Sequence, residues 1–277
     1  MQLHTIVQNR NPRGFPILCL HGHPGSGEAM DVFTGSFAEW PALPFTTYAP
    51  DLRGYGHSRA SGSFEMTRHL EDLDALLAQH GIRECLVLGW SLGGILAMEM
   101  ALRRPDVVKG LILIGTAARP QGSHPPITLK DNVMTGIAGL LNYALPACGP
   151  AMALGQKSLF RYLIRQHTPE AYRYLARRGA PAFLRTSRYA EAALFQAIRA
   201  GYNRLPDLRE LTIPSLMLCG ECDRHITADA SLETARALPN CQTHCYPDTA
   251  HLFPWEIPAQ VNADIRNWLV SHADIWR

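Results

Sequence analysis

The sequence predicts an α/β protein in which helices cover both faces of a mostly parallel sheet. The predicted strands are short, continuous apolar runs that alternate with helical patterns, which is typical of a parallel sheet buried on both faces. The segment from Thr128 to Tyr202 shows helical periodicity and no strand pattern. We therefore expect an all-helical insertion within the sheet domain.

The first half of the chain alternates between strands and helices. Leu3 to Val7 predicts an edge strand, and the runs Phe15 to Leu20 and Phe45 to Ala49 predict buried strands. Thr67 to His80 places leucines at helical spacing along one face, so this segment should be a helix that packs on the sheet. The apolar run from Gly110 to Gly115 predicts a further buried strand.

A strand-to-helix junction lies at the centre of the predicted sheet. The apolar run that begins at Cys85 stops at Gly89, a helical pattern follows Ser91, and Gly89-Trp-Ser-Leu-Gly93 forms a G-x-S-x-G pentapeptide between them. A chain that leaves a strand and turns sharply into a helix strains the central residue, and side chains two positions away would collide. The pattern predicts that Ser91 is held above the sheet at the positive end of the helix.

A linker rich in Pro, Gly and Ser begins at Arg119 and precedes the helical segment. We expect residues 119–205 to form a helical cap, and residues 1–118 and 206–277 to form the core domain. The cap should lie over the carboxyl edge of the sheet, where ligands bind in such folds. It should make the substrate pocket largely hydrophobic.

Positive charge is concentrated in the same part of the chain. Between Arg119 and Arg209 there are 13 lysines and arginines against 4 aspartates and glutamates, whereas the remainder carries 13 against 20. We interpret this as a solvated basic face that complements an acidic core. A weak attraction to an anionic substrate or lipid surface is the alternative.

The second half of the core should supply two further strands. Pro214 to Gly220 and Thr243 to Tyr246 predict these strands, and Ala228 to Leu238 and Pro258 to Val270 predict the helices that follow them. The carboxyl ends of parallel strands meet at one edge of the sheet. The loops after both strands should therefore lie near Ser91.

Composition narrows the range of functions. The net charge is +2, and no basic motif is interleaved with aromatic residues, so we expect no nucleic-acid partner. Apolar runs such as Leu111 to Ile114 are far shorter than a membrane span, and the segment from Met1 to Thr5 does not begin a signal peptide. We expect a cytoplasmic protein without stable membrane insertion, whose partner is a small-molecule substrate and whose oligomeric state is open.

Two cysteine spacings resemble metal or redox sites loosely. These are Cys219 to Cys222 and Cys241 to Cys245, among seven cysteines scattered through the chain. Cys219 falls in a predicted strand, where a thiol behaves as a small hydrophobe and points into the sheet. We therefore predict no metal.

A serine hydroxyl is a poor nucleophile at neutral pH and needs an adjacent base. His251 lies in the loop after the last predicted strand, and Asp223 lies in the loop after the preceding strand. An imidazole works best as a base when a carboxylate fixes its tautomer and stabilises its cation. The sequence therefore predicts a catalytic triad of Ser91, His251 and Asp223, in the chain order Ser, Asp, His. Glu221 and Asp248 remain rival acids for this triad, and His225 and His57 remain rival bases.

An oxyanion that forms at an attacked carbonyl needs preorganised hydrogen-bond donors. We expect two backbone N–H groups to supply them. One belongs to Leu92, which follows the nucleophile at the start of a helix. The other belongs to His23, in the glycine-rich loop after an early strand, and His21 should brace that loop.

These segments together resemble the α/β-hydrolase superfamily. The resemblance is carried by His21-Gly-His-Pro-Gly25, Asp51-Leu-Arg-Gly-Tyr-Gly-His-Ser58, Gly89-Trp-Ser-Leu-Gly-Gly94, Pro214 to Asp223, and Ala250-His251 with Glu256-Ile-Pro258. It implies a mostly parallel eight-stranded sheet, a Ser-His-Asp triad, a variable helical cap and no cofactor. Ala250 departs from the glycine that many relatives have before the histidine.

The resemblance covers several chemistries. Epoxide hydrolases and haloalkane dehalogenases use an aspartate where this chain has Ser91, so we set them aside. Menaquinone-pathway lyases commonly have an arginine shortly after the nucleophile, and Gly93 to Leu96 offers none. We predict a serine hydrolase that cleaves a carboxylic ester, or a related acyl bond, of a small to medium, mainly apolar substrate through an acyl-enzyme. The alternatives are a carbon–carbon hydrolase or lyase with the same triad, and a non-catalytic ligand receptor on the same fold.

Overall fold

Seven strands form one sheet in the computed structural model, which describes residues 1–9, 14–40 and 45–276. In chain order they are β1 (Thr5–Asn9), β2 (Phe15–Leu20), β3 (Phe45–Pro50), β4 (Cys85–Trp90), β5 (Val108–Ile114), β6 (Ser215–Gly220) and β7 (Cys241–Tyr246). Their order across the sheet is β1-β3-β2-β4-β5-β6-β7. β1 runs antiparallel to β3, and the other pairings are parallel.

Helices occupy most of the remaining described chain. They are α1 (Asp31–Glu39), α2 (Thr67–Gln79), α3 (Leu92–Arg103), α4 (Leu129–Ala144), α5 (Gly149–Gly155), α6 (Phe160–Leu163), α7 (Pro169–Tyr174), α8 (Ala180–Leu184), α9 (Arg188–Arg199), α10 (Ala228–Ala237), α11 (Phe253–Glu256) and α12 (Pro258–Ser271). A π-helical turn, Leu175–Gly179, joins α7 to α8, and 3₁₀ turns lie at Gly27–Met30, Asp207–Glu210 and Ala273–Ile275. No helix within the described ranges is both long enough and apolar enough to cross a membrane.

The central strand β4 lies between β2 and β5, and every one of its residues is buried. Successive strand residues point to opposite faces, so Val87 packs into one apolar cluster while Leu86 and Leu88 pack into another. Residues of α2, α3 and α10 belong to the first cluster, and residues of α1 and α12 belong to the second. The predicted sheet with helices on both faces is thus confirmed.

The sheet has seven described strands rather than the eight that the resemblance implies. β1 is the first described strand and β2 is the next, and the described chain after β7 is helical or irregular. β1 begins at Thr5, later than the predicted Leu3, because its ladder starts opposite Pro50, where β3 ends. β5 and β7 begin earlier than predicted because their first residues pair with the neighbouring strands.

Residues 119–205, which we call the cap segment, contain α4 to α9 and no strand. Their predicted helical character is confirmed, whereas the division of the chain into a core domain and a cap domain stays a prediction. Arginines of the cap segment pair with acids outside it: Arg119 with Glu233, Arg165 with Asp248, Arg178 with Glu28 and Asp31, and Arg204 with Glu99. This agrees with a basic face that complements an acidic core.

Candidate active site

Ser91 lies at the junction between β4 and α3. Its backbone has φ 53° and ψ −115°, which is the strained conformation that the G-x-S-x-G pattern predicts for a residue other than glycine. The Ser91 N–H donates to the Ile114 carbonyl at 2.9 Å, and Thr116 Oγ1 donates to the Ser91 carbonyl at 2.8 Å. The end of β5 therefore fixes the direction in which the serine side chain leaves the sheet.

The two glycines of the pentapeptide have no room for a side chain. A Cβ atom at Gly89 would overlap the backbone of Gly93 and Gly94. A Cβ atom at Gly93 would overlap the Leu20 carbonyl at the end of β2. The predicted steric need for glycine at both positions is confirmed.

His251 and Asp223 form a buried pair. His251 Nδ1 lies 2.7 Å from Asp223 Oδ2, and the two side chains are 4% and 0% exposed. Asp223 Oδ1 accepts the backbone N–H groups of His225 at 2.7 Å and of Ile226 at 3.1 Å. An ionised carboxylate only accepts hydrogen bonds, so we assign the proton to His251 Nδ1 and a free lone pair to Nε2.

The His251 ring lies beside the Ser91 turn. Its centroid is 5.5 Å from that of Trp90, and a Cβ atom built on Gly115 would lie 3.6 Å from the ring. Among the hydrogen bonds of the described residues, none joins Ser91 Oγ to His251. Catalytic hydrogen bonds are often long in unliganded sites and tighten when substrate binds. The serine–histidine contact stays a prediction.

Each of the four rival residues has another hydrogen-bond partner, and the partner of the His225 ring is His124. Asp248 pairs with Arg165 at 2.7 Å, and Glu221 accepts the Asp248 N–H at 3.2 Å. His57 Nδ1 hydrogen-bonds to Asp51 at 3.2 Å. Of the three candidate acids, the structure places one against the imidazole.

The loop after β2 packs directly on Ser91, because a Cβ atom at Gly22 would lie 3.1 Å from the serine Cβ. His21 braces this loop, as predicted: its Nδ1–H donates to the Gly22 carbonyl at 2.8 Å, and its Nε2 accepts the Leu52 N–H at 3.0 Å. Leu92 begins α3, and the first N–H groups of a helix have no intrahelical partner. The oxyanion hole formed by the N–H groups of His23 and Leu92 stays a prediction.

Two further histidines extend the row of imidazoles. The His225 and His251 ring centroids are 5.0 Å apart, and His124 Nε2 lies 2.8 Å from His225 Nδ1. His124 and His225 are exposed residues, but desolvation of their ring nitrogens lowers the pKa of His124 and brings the pKa of His225 to about 3. These rings are therefore neutral at pH 7. In the sequence His225 stands out only as a rival base, and nothing in the sequence around His124 marks it.

Glu256 joins the His251 loop to the cap segment. Its Oε1 accepts the Ala250 N–H at 3.1 Å, and its Oε2 accepts the N–H groups of Arg165 at 3.1 Å and Gln166 at 2.6 Å. Burial raises the pKa of this carboxyl group, although the three backbone donors oppose the effect. In the sequence Glu256 is visible only as part of a matching motif, because two of its backbone partners lie about 90 residues away along the chain.

Aromatic side chains surround the site. Tyr174 stacks on Trp255 with ring centroids 3.8 Å apart, Trp90 meets Trp255 at 4.8 Å, and Phe195 meets His23 at 5.8 Å. Burial lowers the pKa of His23 to about 4, so it too is neutral at pH 7. Among the cap arginines, Arg161 pairs with Asp131, while Arg165, Arg173 and Arg185 are exposed residues.

The fold, the strained serine and the buried His–Asp pair define the class of protein. The chain belongs to the alpha/beta hydrolase fold family, whose sequence pattern matches residues 16–258.

Three known proteins resemble the chain over most of its length. The chain is 30% identical to a 2-hydroxymuconate semialdehyde hydrolase of Pseudomonas putida, over 86% of this chain and 81% of that protein. It is 23% identical to a pimeloyl-[acyl-carrier protein] methyl ester esterase of Vibrio vulnificus, over 90% of this chain and 91% of that protein. The structure of a thermophilic esterase from Thermogutta terrifontis has the same fold, with a TM-score of 0.70, 23% identity and coverage of 99% and 94% of the two chains.

Proposed function

We propose that this protein is a serine hydrolase that cleaves a carboxylic ester of a small to medium, mainly apolar substrate through an acyl-enzyme. The observation that carries the proposal is the buried His251–Asp223 pair, 2.7 Å apart, beside a serine at φ 53°. A serine held in a strained turn beside an oriented imidazole is the arrangement that acyl transfer by a serine requires.

In the proposed mechanism Ser91 Oγ attacks the ester carbonyl while His251 Nε2 takes its proton. Asp223 holds Nδ1–H and stabilises the imidazolium that forms. The imidazolium then protonates the departing alkoxide, which leaves Ser91 acylated. Water attacks the acyl-enzyme with His251 again as the base, and the acid and free serine are regenerated.

The tetrahedral intermediates carry an oxyanion. We propose that the N–H groups of His23 and Leu92 donate to it. The His23 loop packs on Ser91, and Leu92 begins α3, so both donors are fixed before reaction. One such donor typically stabilises the transition state by about 3 kcal/mol. Because both donors are backbone groups, side-chain substitutions at these positions do not remove them.

The surroundings of the site favour a substrate that is neutral near the scissile bond. The aromatic rings are apolar, and the imidazoles of His23, His124 and His225 are uncharged at pH 7. A carboxylate placed among them would lose hydration without gaining a cation. We propose that the cap segment completes this pocket over the sheet edge and so sets specificity.

A carbon–carbon hydrolase is the second candidate. It is favoured by the 30% identity to the 2-hydroxymuconate semialdehyde hydrolase over 86% of this chain. The same serine and imidazole would serve either reaction.

Ester hydrolysis is tested with p-nitrophenyl acetate and butyrate, using Ser91→Ala and the exposed-loop control Ser61→Ala. We expect Ser91→Ala to lower kcat by about 10⁴-fold or more, because the nucleophile is lost, and Ser61→Ala to behave as the wild type. Hydrolysis that survives Ser91→Ala contradicts the mechanism.

The same preparations separate the alternatives. Incubation with 2-hydroxymuconate semialdehyde should leave it intact. Serine-dependent loss of its absorbance, without ester hydrolysis, selects the second candidate. Tight ligand binding without turnover of any ester, thioester or lactone would support the alternative of a non-catalytic ligand receptor.

A further inference from the structure

Two histidines and a buried aspartate converge at the edge of the sheet, away from Ser91. His4 Nδ1 lies 3.1 Å and His57 Nδ1 lies 3.2 Å from the same atom, Asp51 Oδ2. One ligand atom from each of the three residues lies within 4.8 Å of the others. The two imidazoles are 46% and 49% exposed, whereas the carboxylate is 2% exposed.

The carboxylate is in the state that binds cations. Burial alone would raise the pKa of Asp51, but the backbone N–H groups of His57 and Gly27 outweigh it, and the pKa lies below its usual value. Within the described part of the chain, the ion-pair partners of Asp51 are the two imidazoles, and none is a lysine or an arginine. A buried, ionised carboxylate thus faces solvent-accessible nitrogen ligands with no fixed cation to neutralise it.

The local structure holds these residues in place before any ion arrives. The Asp51 N–H donates to the His4 carbonyl at 2.8 Å, and the His4 N–H donates to Ser58 Oγ at 2.9 Å. Gly56, at φ 50°, has no room for a Cβ because the Asp51 carboxylate occupies that space. Ligands fixed in this way lose little conformational entropy on binding.

We propose that His4, Asp51 and His57 form a binding site for one divalent transition-metal ion of the zinc class. An ion about 2.1 Å from each ligand, with nitrogen–oxygen separations of 3.1 and 3.2 Å, subtends angles of about 95–100°, which lie between octahedral and tetrahedral values. Imidazole ligands favour zinc, nickel or copper over magnesium and calcium. Water completes the coordination on the exposed side.

The ion displaces the two Nδ1 protons of the present hydrogen bonds. In each ring that same proton moves through water to Nε2, so the ring gains no charge and no net proton is released. The ion would fasten the chain ahead of β1 to the loop after β3. This proposal does not depend on the proposed ester hydrolysis, because no residue of the triad takes part.

The test is isothermal titration of the full chain with ZnCl₂ at pH 7.5, with MgCl₂ as a comparison. The variants are His4→Ala, His57→Ala and their double variant, and His272→Ala is the control. The His272 ring hydrogen-bonds near the carboxyl terminus and lies outside the cluster. Asp51 is left intact because its carboxylate also accepts the N–H groups of Gly27 and His57.

We expect the wild type and His272→Ala to bind one more zinc ion per chain than the double variant. Each single variant should weaken that site by at least about 10-fold. The rise in the thermal unfolding midpoint with zinc should be larger where the site is intact than in the double variant, since binding to the native state stabilises it. Equal zinc stoichiometry in the wild type and the double variant overturns the proposal, even where cysteines bind zinc elsewhere. Equal binding of magnesium overturns the assignment of the ion class.

Discussion

At the scale of single residues, Asp223 has two separable tasks. One carboxylate oxygen accepts two backbone N–H groups, and the other accepts His251 Nδ1–H. Asp223→Asn keeps an oxygen for the backbone donors but turns an amide NH₂ toward the imidazole. His251 must then protonate Nε2 and lose its capacity as a base. We expect kcat for ester hydrolysis to fall by about 10⁴-fold while the unfolding midpoint changes little.

The control for this variant is Asp248→Asn. Asp248 lies in the same loop as His251 but pairs with Arg165 on the surface, so its substitution should leave kcat unchanged. If Asp248→Asn abolishes turnover and Asp223→Asn does not, the acid of the proposed triad is misassigned.

The position of the serine could be predicted from sequence because its determinants are local. Gly89, Ser91 and Gly93 lie within five consecutive residues, and the steric rule for a strand-to-helix turn applies to them alone. The choice of Asp223 over its rivals was only a preference, because it depends on how two separate loops fold. The contact between His124 and His225 spans 101 residues and has no local signature at all.

At the scale of elements, the strands were predictable because they are continuous apolar runs, and the helix α2 because its buried leucines recur at helical spacing. Strand ends were less predictable, since β1, β5 and β7 begin where a partner strand allows pairing. The attachment of the cap segment to the His251 loop could not be predicted. It depends on Glu256 and on a bond from the Leu252 N–H to the Leu163 carbonyl at 2.8 Å.

Glu256→Gln tests that attachment. Both carboxylate oxygens accept backbone N–H groups. In either orientation of a glutamine amide, its NH₂ group therefore faces at least one backbone N–H, and two donors cannot hydrogen-bond to each other. We expect the variant to lose about 1–3 kcal/mol of unfolding free energy, measured by urea denaturation. Ester kcat should fall as well, because Ala250 precedes His251.

The matched control is Glu170→Gln, an exposed acid of the cap segment that pairs with Arg173. Exposed pairs of this kind contribute little to stability, so this variant should resemble the wild type. Equal stability of the two variants would show that Glu256 does not fasten the cap segment.

At the scale of the whole molecule, buried neutral histidines make the fold sensitive to acid. Burial lowers the pKa of His21 to about 4, against the opposing effect of its bond to Gly22. Burial, and then the neighbouring His21, lower the pKa of His69 to about 4. Neither nitrogen of the His69 ring has a hydrogen-bond partner within the described residues.

The direction of the pH dependence follows from these values. The unfolded chain protonates each histidine below about pH 6.5, whereas the native protein keeps both neutral until about pH 4. The unfolded state therefore binds more protons in this window, and stability falls as the pH falls from 6.5 towards 4. Each histidine contributes a slope of up to about 1.4 kcal/mol per pH unit.

Urea denaturation at pH 7.5, 6.5 and 5.5 measures this slope in the wild type and in His69→Leu. We expect the slope of unfolding free energy against pH to be smaller in His69→Leu by the contribution of one histidine proton. The variant should also be more stable, because it removes an unpaired polar ring from an apolar site between Tyr55 and Phe64. His69→Asn is the control, since it keeps a buried polar group and should not stabilise. A wild-type free energy of unfolding that is flat from pH 6.5 to 5.5, or a His69→Leu slope equal to that of the wild type, contradicts the assignment of neutral buried rings.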